Sequence, residues 1–238
     1  MRYHADDFST AHSEGHMGQW IKLKAADGFE AAAWRADPAG KPKGGIVVIQ
    51  EIFGVNAHIR SIADRLAAAG YLAIAPAVFD RVERDVDLGY DQPGMGEGME
   101  IAGKMDREKT LGDVAAAIKV ASEAGKVGIT GFCMGGTYAW VAAANMSGLS
   151  AAAGYYGGGI VGLKTLQPKI PTMLHFGEKD DHIPLEGVRD VEKLHPDVKV
   201  YTYPAGHGFH CDARASYDRP SAELAWGRTL EFFAKHVG

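Results

Sequence analysis

Short apolar runs that alternate with helical segments constrain the fold of this chain more than any other feature. Strand-like runs such as GIVVI, YLAIAP, KVGIT and TMLHFG are separated by segments whose apolar residues recur every three or four positions. This alternation is typical of a parallel sheet joined by crossover helices. Residues 20–25 and 29–36 are instead predicted to form a hairpin across Asp27-Gly28. The sequence therefore predicts an α/β fold, with a mostly parallel open sheet of about eight strands and helices on both faces.

The chain is predicted to be one α/β domain over residues 1–238. Its 46% hydrophobic composition supplies a substantial core, and no repeat or low-complexity linker divides it. Residues 1–18 are predicted to be an N-terminal extension. Residues 77–105 are rich in Gly, Asp, Met and Arg and lack clear periodicity. Because long excursions in compact domains are often functional, we expect this one to line a pocket.

Charge and cysteine content exclude several function classes. The net charge of −5 is scattered along the chain with no basic run, which disfavours nucleic acid or a membrane as partner. The sequence shows no transmembrane or secretory segment, so a cytoplasmic location is expected. Two cysteines cannot build a disulfide framework, and their surroundings lack zinc-site spacing, so we predict no metal and no cofactor. We expect a small-molecule ligand and a monomer or small homo-oligomer.

Cys133 is the first candidate for chemistry. It lies in TGFCMGG, between the predicted strand KVGIT and a helix predicted from about residue 134. This is the GxSxG elbow with cysteine in the serine place. The glycines permit a sharp turn, and the N-terminus of the helix favours a thiolate. A dinucleotide loop or P-loop is a near miss, since Cys133 and Thr137 stand where a glycine and a lysine are needed; a buried cysteine that only packs is the open alternative.

An elbow nucleophile needs an acid and then a histidine further along the chain. Asp180 follows TMLHFG in GEKDDHIP, with Asp181 as its neighbouring competitor and a cap role as the alternative. His207 follows VKVYTYP in AGHGFH, whereas His175 lies inside a predicted strand and His210 lacks the strand-to-loop register. Open α/β sheets place their ligand sites at such strand ends. We therefore predict Asp180 and His207 as partners of the elbow cysteine.

Four ordered motifs, QEIFGVN, GFCMGG, GEKDDHIP and AGHGF, together resemble the dienelactone hydrolase (carboxymethylenebutenolidase) family of the α/β-hydrolase fold. The resemblance covers the chain from about Gln19 onward. It implies a carboxylic ester hydrolase that acts on a small ester or lactone. In that chemistry Cys133 attacks as a thiolate, His207 is the base, Asp180 orients it, and water hydrolyses the thioester.

The resemblance also implies a role for Glu51, in the first of the four motifs. In the family, the glutamate at this position contacts the resting nucleophile and holds it in a less reactive state. Substrate then displaces the glutamate, and the freed carboxylate helps to generate the thiolate. The alternative is a strand-end carboxylate paired with a surface cation such as Arg60.

Three further residues follow from the resemblance. The backbone N–H groups of Ile52 and Met134 are predicted to form the oxyanion hole. Arg81, in APAVFDR, is predicted to contact a substrate carboxylate through its bidentate fork, with a solvated surface arginine as the alternative. The family has a second arginine where this chain has Cys211, so the substrate itself stays open.

Two other function classes remain as alternatives. One is a non-catalytic ligand-binding or sensor protein on the same scaffold. The other is a thiol-redox protein, which the absence of a CxxC pair disfavours.

Overall fold

The computed structural model describes residues 18–238, which divide into two compact units that meet at Val127 and Gly128 in the sequence. All but the last residue of the predicted N-terminal extension lies outside the described residues. Eight strands in a mostly parallel open sheet, interleaved with helices, confirm the predicted α/β class. The single domain stays a prediction.

The first unit contains four strands and three helices in its described part. They are β1 (Gly18–Lys24), β2 (Glu30–Ala36), β3 (Gly45–Ile49), α1 (Ala57–Ala68), β4 (Leu72–Pro76), α2 (Gln92–Gly103) and α3 (Arg107–Ala121). Their strand order is β1-β2-β4-β3. The β1/β2 and β2/β4 pairs are antiparallel and β3/β4 is parallel, which confirms the predicted hairpin.

The second unit contains four strands and three helices. They are β5 (Val127–Phe132), α4 (Met134–Asn145), β6 (Ala151–Tyr155), β7 (Thr172–Gly177), α5 (Leu185–Leu194), β8 (Lys199–Tyr203) and α6 (Arg219–His236). Strands β5 to β8 lie in sequence order and are all parallel. Over residues 18–238, no helix is both long and apolar enough for a membrane crossing.

Continuous burial explains why the central strands have unbroken apolar sequences. Every residue of β3, β4, β5, β6 and β7 is buried. Parallel strands covered on both faces need no polar alternation. The edge strands β1 and β8 are only partly buried, and they carry lysines and threonine between their apolar residues.

Helix α2 is an element that the sequence pattern does not indicate, because glycines interrupt its apolar periodicity. The Asp91 side chain accepts a hydrogen bond from the N–H of Gly94 at 2.9 Å and caps the helix, and Pro93 occupies its first turn. Gly98 is buried, and a Cβ there would collide with the carbonyl oxygen of Ile52. The glycines that hide the helix from sequence analysis therefore allow it to pack closely against the Ile52 loop.

Candidate active site

The elbow at Cys133 has the strained geometry that its motif predicts. Cys133 has φ +53° and ψ −115°, between the end of β5 and the start of α4. A side chain at Gly131 would collide with the carbonyl oxygen of Gly135, so the turn requires a glycine at that position. The N–H of Cys133 donates to the carbonyl oxygen of Tyr155 at 3.0 Å, and the cysteine is half-buried. A non-glycine residue held in this conformation is typical of functional sites.

His207 and Asp180 are brought together from the loops after β8 and β7. The Nδ1 atom of His207 lies 2.7 Å from Oδ2 of Asp180. The other oxygen of Asp180 accepts from the backbone N–H of His182 at 2.9 Å, so the predicted turn role and the pairing with histidine coexist. The Ser216 hydroxyl donates to the carbonyl oxygen of His207 at 2.6 Å and fixes its loop.

The protonation state of His207 follows from its partners. Burial lowers the pKa of its imidazole, but hydrogen bonds to Asp180 and Cys133, and the negative charge of both, outweigh burial. Together they raise the pKa of His207 from 6.5 to about 9. The ring is therefore protonated at neutral pH.

Two aromatic residues around His207 were not identified from the sequence. Tyr156 follows β6, has φ +36°, and its ring centroid lies 5.2 Å from that of His207. The exposed ring of His182 approaches His207 edge-on at 5.4 Å. The strand-end rule that identified His207 also applies to Tyr156. The position of His182 has no comparable sequence signal.

Three rejected candidates lie in other surroundings. Asp181 is exposed, whereas Asp180 is buried. His175 is buried in β7, with Nδ1 2.8 Å from the Tyr203 hydroxyl and Nε2 3.0 Å from that of Thr229. Burial, reinforced by the charge of Arg228, lowers its pKa to about 3. His210 is buried with its ring among those of Phe132, Tyr155 and Trp226.

In the first unit, Glu51 is the second residue after β3 and is fully buried. Its Oε2 accepts a hydrogen bond of 2.8 Å from the Tyr90 hydroxyl. Arg60 pairs instead with Asp87 at 3.0 Å and donates to the carbonyl oxygen of Val55 at 2.7 Å. A buried carboxylate that accepts from a tyrosine differs from the surface ion pair that was the alternative interpretation of Glu51.

The loop that carries Ile52 is held by the long excursion at residues 77–105. The N–H of Leu88 donates to the carbonyl oxygen of Phe53 at 2.9 Å. Gly54 forms an isolated antiparallel bridge with Asp87, and its φ of +81° and the adjacent Val86 carbonyl leave no room for a side chain. The excursion therefore fixes the backbone around the predicted oxyanion donor.

Arg81 is engaged by two carboxylates of the first unit. Its Nε and Nη2 donate to Asp113 at 2.7 and 2.8 Å. Its Nη1 and Nη2 donate to Asp27 at 2.8 and 3.0 Å, and the guanidinium stacks over Phe29 at 4.3 Å. These contacts occupy both bidentate edges of the guanidinium, so a substrate carboxylate would have to open one of the ion pairs.

The comparisons with known proteins agree on a family. The dienelactone hydrolase family profile matches residues 31–237. A Synechocystis protein with the provisional name carboxymethylenebutenolidase is 36% identical over 79% of this chain and 84% of its own length. A Yersinia pestis protein of the same provisional name is 34% identical over 98% of this chain and 94% of its own length.

Solved structures lead to the same family. The crystal structure of a Klebsiella pneumoniae protein, provisionally described as a dienelactone hydrolase, has 31% identity and a TM-score of 0.81, and covers 92% of this chain and 99% of its own. The profile match extends over most of the described strands and helices. The chain belongs to the dienelactone hydrolase family, a family of ester and lactone hydrolases with the α/β-hydrolase fold.

Proposed function

We propose that this chain is a cysteine-dependent hydrolase of a small ester or lactone. The Cys133 thiolate attacks the carbonyl carbon, and the carbonyl electrons move onto oxygen. The carbon–oxygen bond then breaks, and the leaving oxygen takes the proton of His207. Water next gives its proton to the neutral imidazole and attacks the thioester; the thiolate departs, and His207 is again protonated.

The observation that carries the proposal is the Asp180–His207 hydrogen bond of 2.7 Å, together with the pKa of about 9 that Asp180 and Cys133 give the ring. Once substrate has released the thiol from Glu51, a protonated imidazole beside it stabilises the attacking thiolate. Such a nucleophile suits activated esters and lactones, whose leaving groups depart readily, better than amides.

The backbone N–H groups of Met134 and Ile52 are proposed as the oxyanion donors. Met134 is the first residue of α4, where helical N–H groups have no acceptor within the helix. Ile52 lies in the loop after β3, as this fold expects. Removal of one such donor typically costs about 2.7–4 kcal/mol of transition-state stabilisation.

Glu51 is proposed to hold the resting thiol in a less reactive state until substrate displaces its carboxylate, which then helps to generate the thiolate. The proposal comes from the family resemblance and is supported by the complete burial of this carboxyl group two residues after β3. A buried carboxylate is retained at a cost in solvation, which favours a functional role.

The substrate proposal stops at the ester or lactone class. The narrower hypothesis is a substrate that bears a carboxylate, because Arg81 was predicted to contact such a group. The double pairing of Arg81 with Asp27 and Asp113 weighs against a free guanidinium for substrate. We propose a small soluble substrate and a cytoplasmic enzyme, on the charge and sequence pattern alone.

Replacement of the cysteine tests the function against the alternative of a non-catalytic binding or sensor protein. We expect Cys133→Ala to abolish turnover of a panel of aryl esters and lactones, while the thermal midpoint and ligand binding persist. Cys133→Ser should keep a small residual rate, because a hydroxyl is a poorer nucleophile than a thiolate. Wild-type protein that hydrolyses none of the panel, or Cys133→Ala protein that keeps full turnover, would contradict the proposal.

A further inference from the structure

A chain of hydrogen bonds, each with a defined donor and acceptor, leads from the start of α1 to Glu51. The Oδ1 atom of Asn56, the cap of α1, accepts from the N–H of Ile59 at 3.3 Å. This contact turns the amide so that its Nδ2 donates to the Tyr90 hydroxyl at 3.1 Å. Because an amide nitrogen only donates, the Tyr90 oxygen accepts, and the phenol proton is directed to Oε2 of Glu51, 2.8 Å away.

Tyr90 is held in place by its own surroundings as well as by Asn56. Its ring centroid lies 4.5 Å from that of Phe53. Two residues earlier, Leu88 donates to the Phe53 carbonyl oxygen, and Arg60 pairs with Asp87. Movement of the hydroxyl away from Glu51 would break its contact with Asn56 and disturb the packing of the ring on Phe53.

We propose that Tyr90 is a positioning residue that fixes the carboxylate of Glu51 for its work on the nucleophile. This inference rests on the proposed function, in which Glu51 restrains the resting thiol. A buried acceptor that loses its hydrogen-bond donor keeps the full cost of its desolvation, so this contact restrains the carboxyl group. The phenol therefore helps to hold the carboxyl group in one orientation.

Tyr90→Phe removes the hydroxyl and keeps the ring that packs on Phe53. We expect kcat/KM for an activated ester to fall about tenfold, the effect of losing one buried hydrogen bond. In the absence of substrate, we expect iodoacetamide to alkylate Cys133 several-fold faster, since Glu51 restrains the thiol less well. Mass spectrometry identifies the alkylated cysteine. Slower turnover combined with a more reactive resting thiol is a pattern that loss of stability alone does not produce.

Tyr203→Phe is the matched control. The Tyr203 hydroxyl bonds Nδ1 of His175 and accepts from Arg228 at 3.0 Å, so this variant also loses buried hydrogen bonds. We expect it to lower the thermal midpoint while leaving kcat/KM and the alkylation rate within about twofold of wild type.

A double-mutant cycle with Glu51→Gln shows whether Tyr90 acts through Glu51. Tyr90→Phe should change kcat/KM by less than about twofold in the Glu51→Gln background. An undiminished tenfold effect there, or kinetics like those of Tyr203→Phe in the wild-type background, would overturn the inference. Both results leave the loss of turnover in Cys133→Ala intact, so failure of this inference is distinguishable from failure of the proposed function.

Discussion

At the residue scale, two partners with charge of the same sign raise the pKa of His207. Asp180 bonds its Nδ1, and Cys133 supplies the second hydrogen bond and charge. Their combined effect overcomes burial and keeps the ring protonated far above its usual range. Because the proposed leaving-group step consumes this proton, activity should disappear when the ring loses it.

The first prediction is therefore a basic limb in the pH profile near pH 9. We expect kcat/KM to be sustained through neutral pH and to fall as pH rises through about 9, the folded-state pKa of His207. Asp180→Asn should lower kcat/KM by about 10²–10⁴-fold and move the limb to lower pH, because it removes a partner that raises the pKa. Steady-state rates, corrected for spontaneous ester hydrolysis, measure both effects.

Asp181→Asn is the control for that prediction. Asp181 is the adjacent residue but is exposed, and surface charges have little effect on a buried ring. We expect its profile to match wild type. If kcat/KM of the wild-type protein already fell near pH 6.5, the result would contradict a resting state with protonated His207.

At the element scale, the elbow depends on a close approach between the end of β5 and the start of α4. Gly131 faces the backbone of Gly135, and Gly136 faces that of Tyr155. Neither strand nor helix propensity requires glycine there. The requirement comes from the turn that presents Cys133 at φ +53°.

Gly131→Ala tests this requirement. We expect it to lower the free energy of unfolding by about 2–3 kcal/mol, because its methyl group collides with rigid backbone rather than with a flexible side chain. Gly112→Ala, in the interior of α3, is the matched substitution, since its methyl group meets nothing within 4 Å. It should raise stability by about 0.5–1 kcal/mol through helix propensity. Urea unfolding of both proteins supplies the comparison, and a Gly131→Ala protein as stable as wild type would refute the packing argument.

Glycine content also explains why helix α2 was not predicted from the sequence. Helix α4 contains two glycines in its first turn but continues with TYAWVAAAN, and its start was predicted at about residue 134. Helix α2 has glycines at 94, 96, 98 and 103, so its apolar residues show no period. Its cap at Asp91 and its packing on Ile52 are tertiary features that a local pattern does not carry.

At the scale of the whole molecule, the residues considered for chemistry follow successive strands. Those after β3, β4, β5, β6, β7 and β8 are Glu51, Arg81, Cys133, Tyr156, Asp180 and His207. Strand-end position, together with the family resemblance for Glu51 and Arg81, allowed all of these residues except Tyr156 to be proposed from the sequence, because parallel strands direct their following loops to one edge of a sheet. The contacts that decide each role were not predictable: the pairing of Arg81 with Asp27 spans 54 residues, and that of Tyr90 with Glu51 spans 39.

The free energy of unfolding should depend on pH in the way expected for a histidine that is buried in its neutral form. His175 has a pKa of about 3 when folded, against 6.5 for an exposed imidazole. Between these values the unfolded chain binds a proton that the folded chain does not, so stability is lost as pH falls. Asp80, whose pKa burial raises to about 6, titrates in the same range with the opposite sign. The effect of His175 is therefore isolated only by comparison with a variant.

His175→Gln supplies that comparison, since glutamine keeps hydrogen-bonding groups but does not titrate. At pH 7.5 we expect the variant to be less stable than wild type, because it disturbs the contacts with Tyr203 and Thr229. The difference in the free energy of unfolding should shrink by about 1.4 kcal/mol per pH unit between pH 6 and pH 4.5, the linkage value for one proton. Urea titrations of both proteins across that range measure the difference. A difference in the free energy of unfolding that stayed constant over this range would mean that His175 is protonated in the folded protein. That result would contradict its burial between two hydroxyl groups and near Arg228.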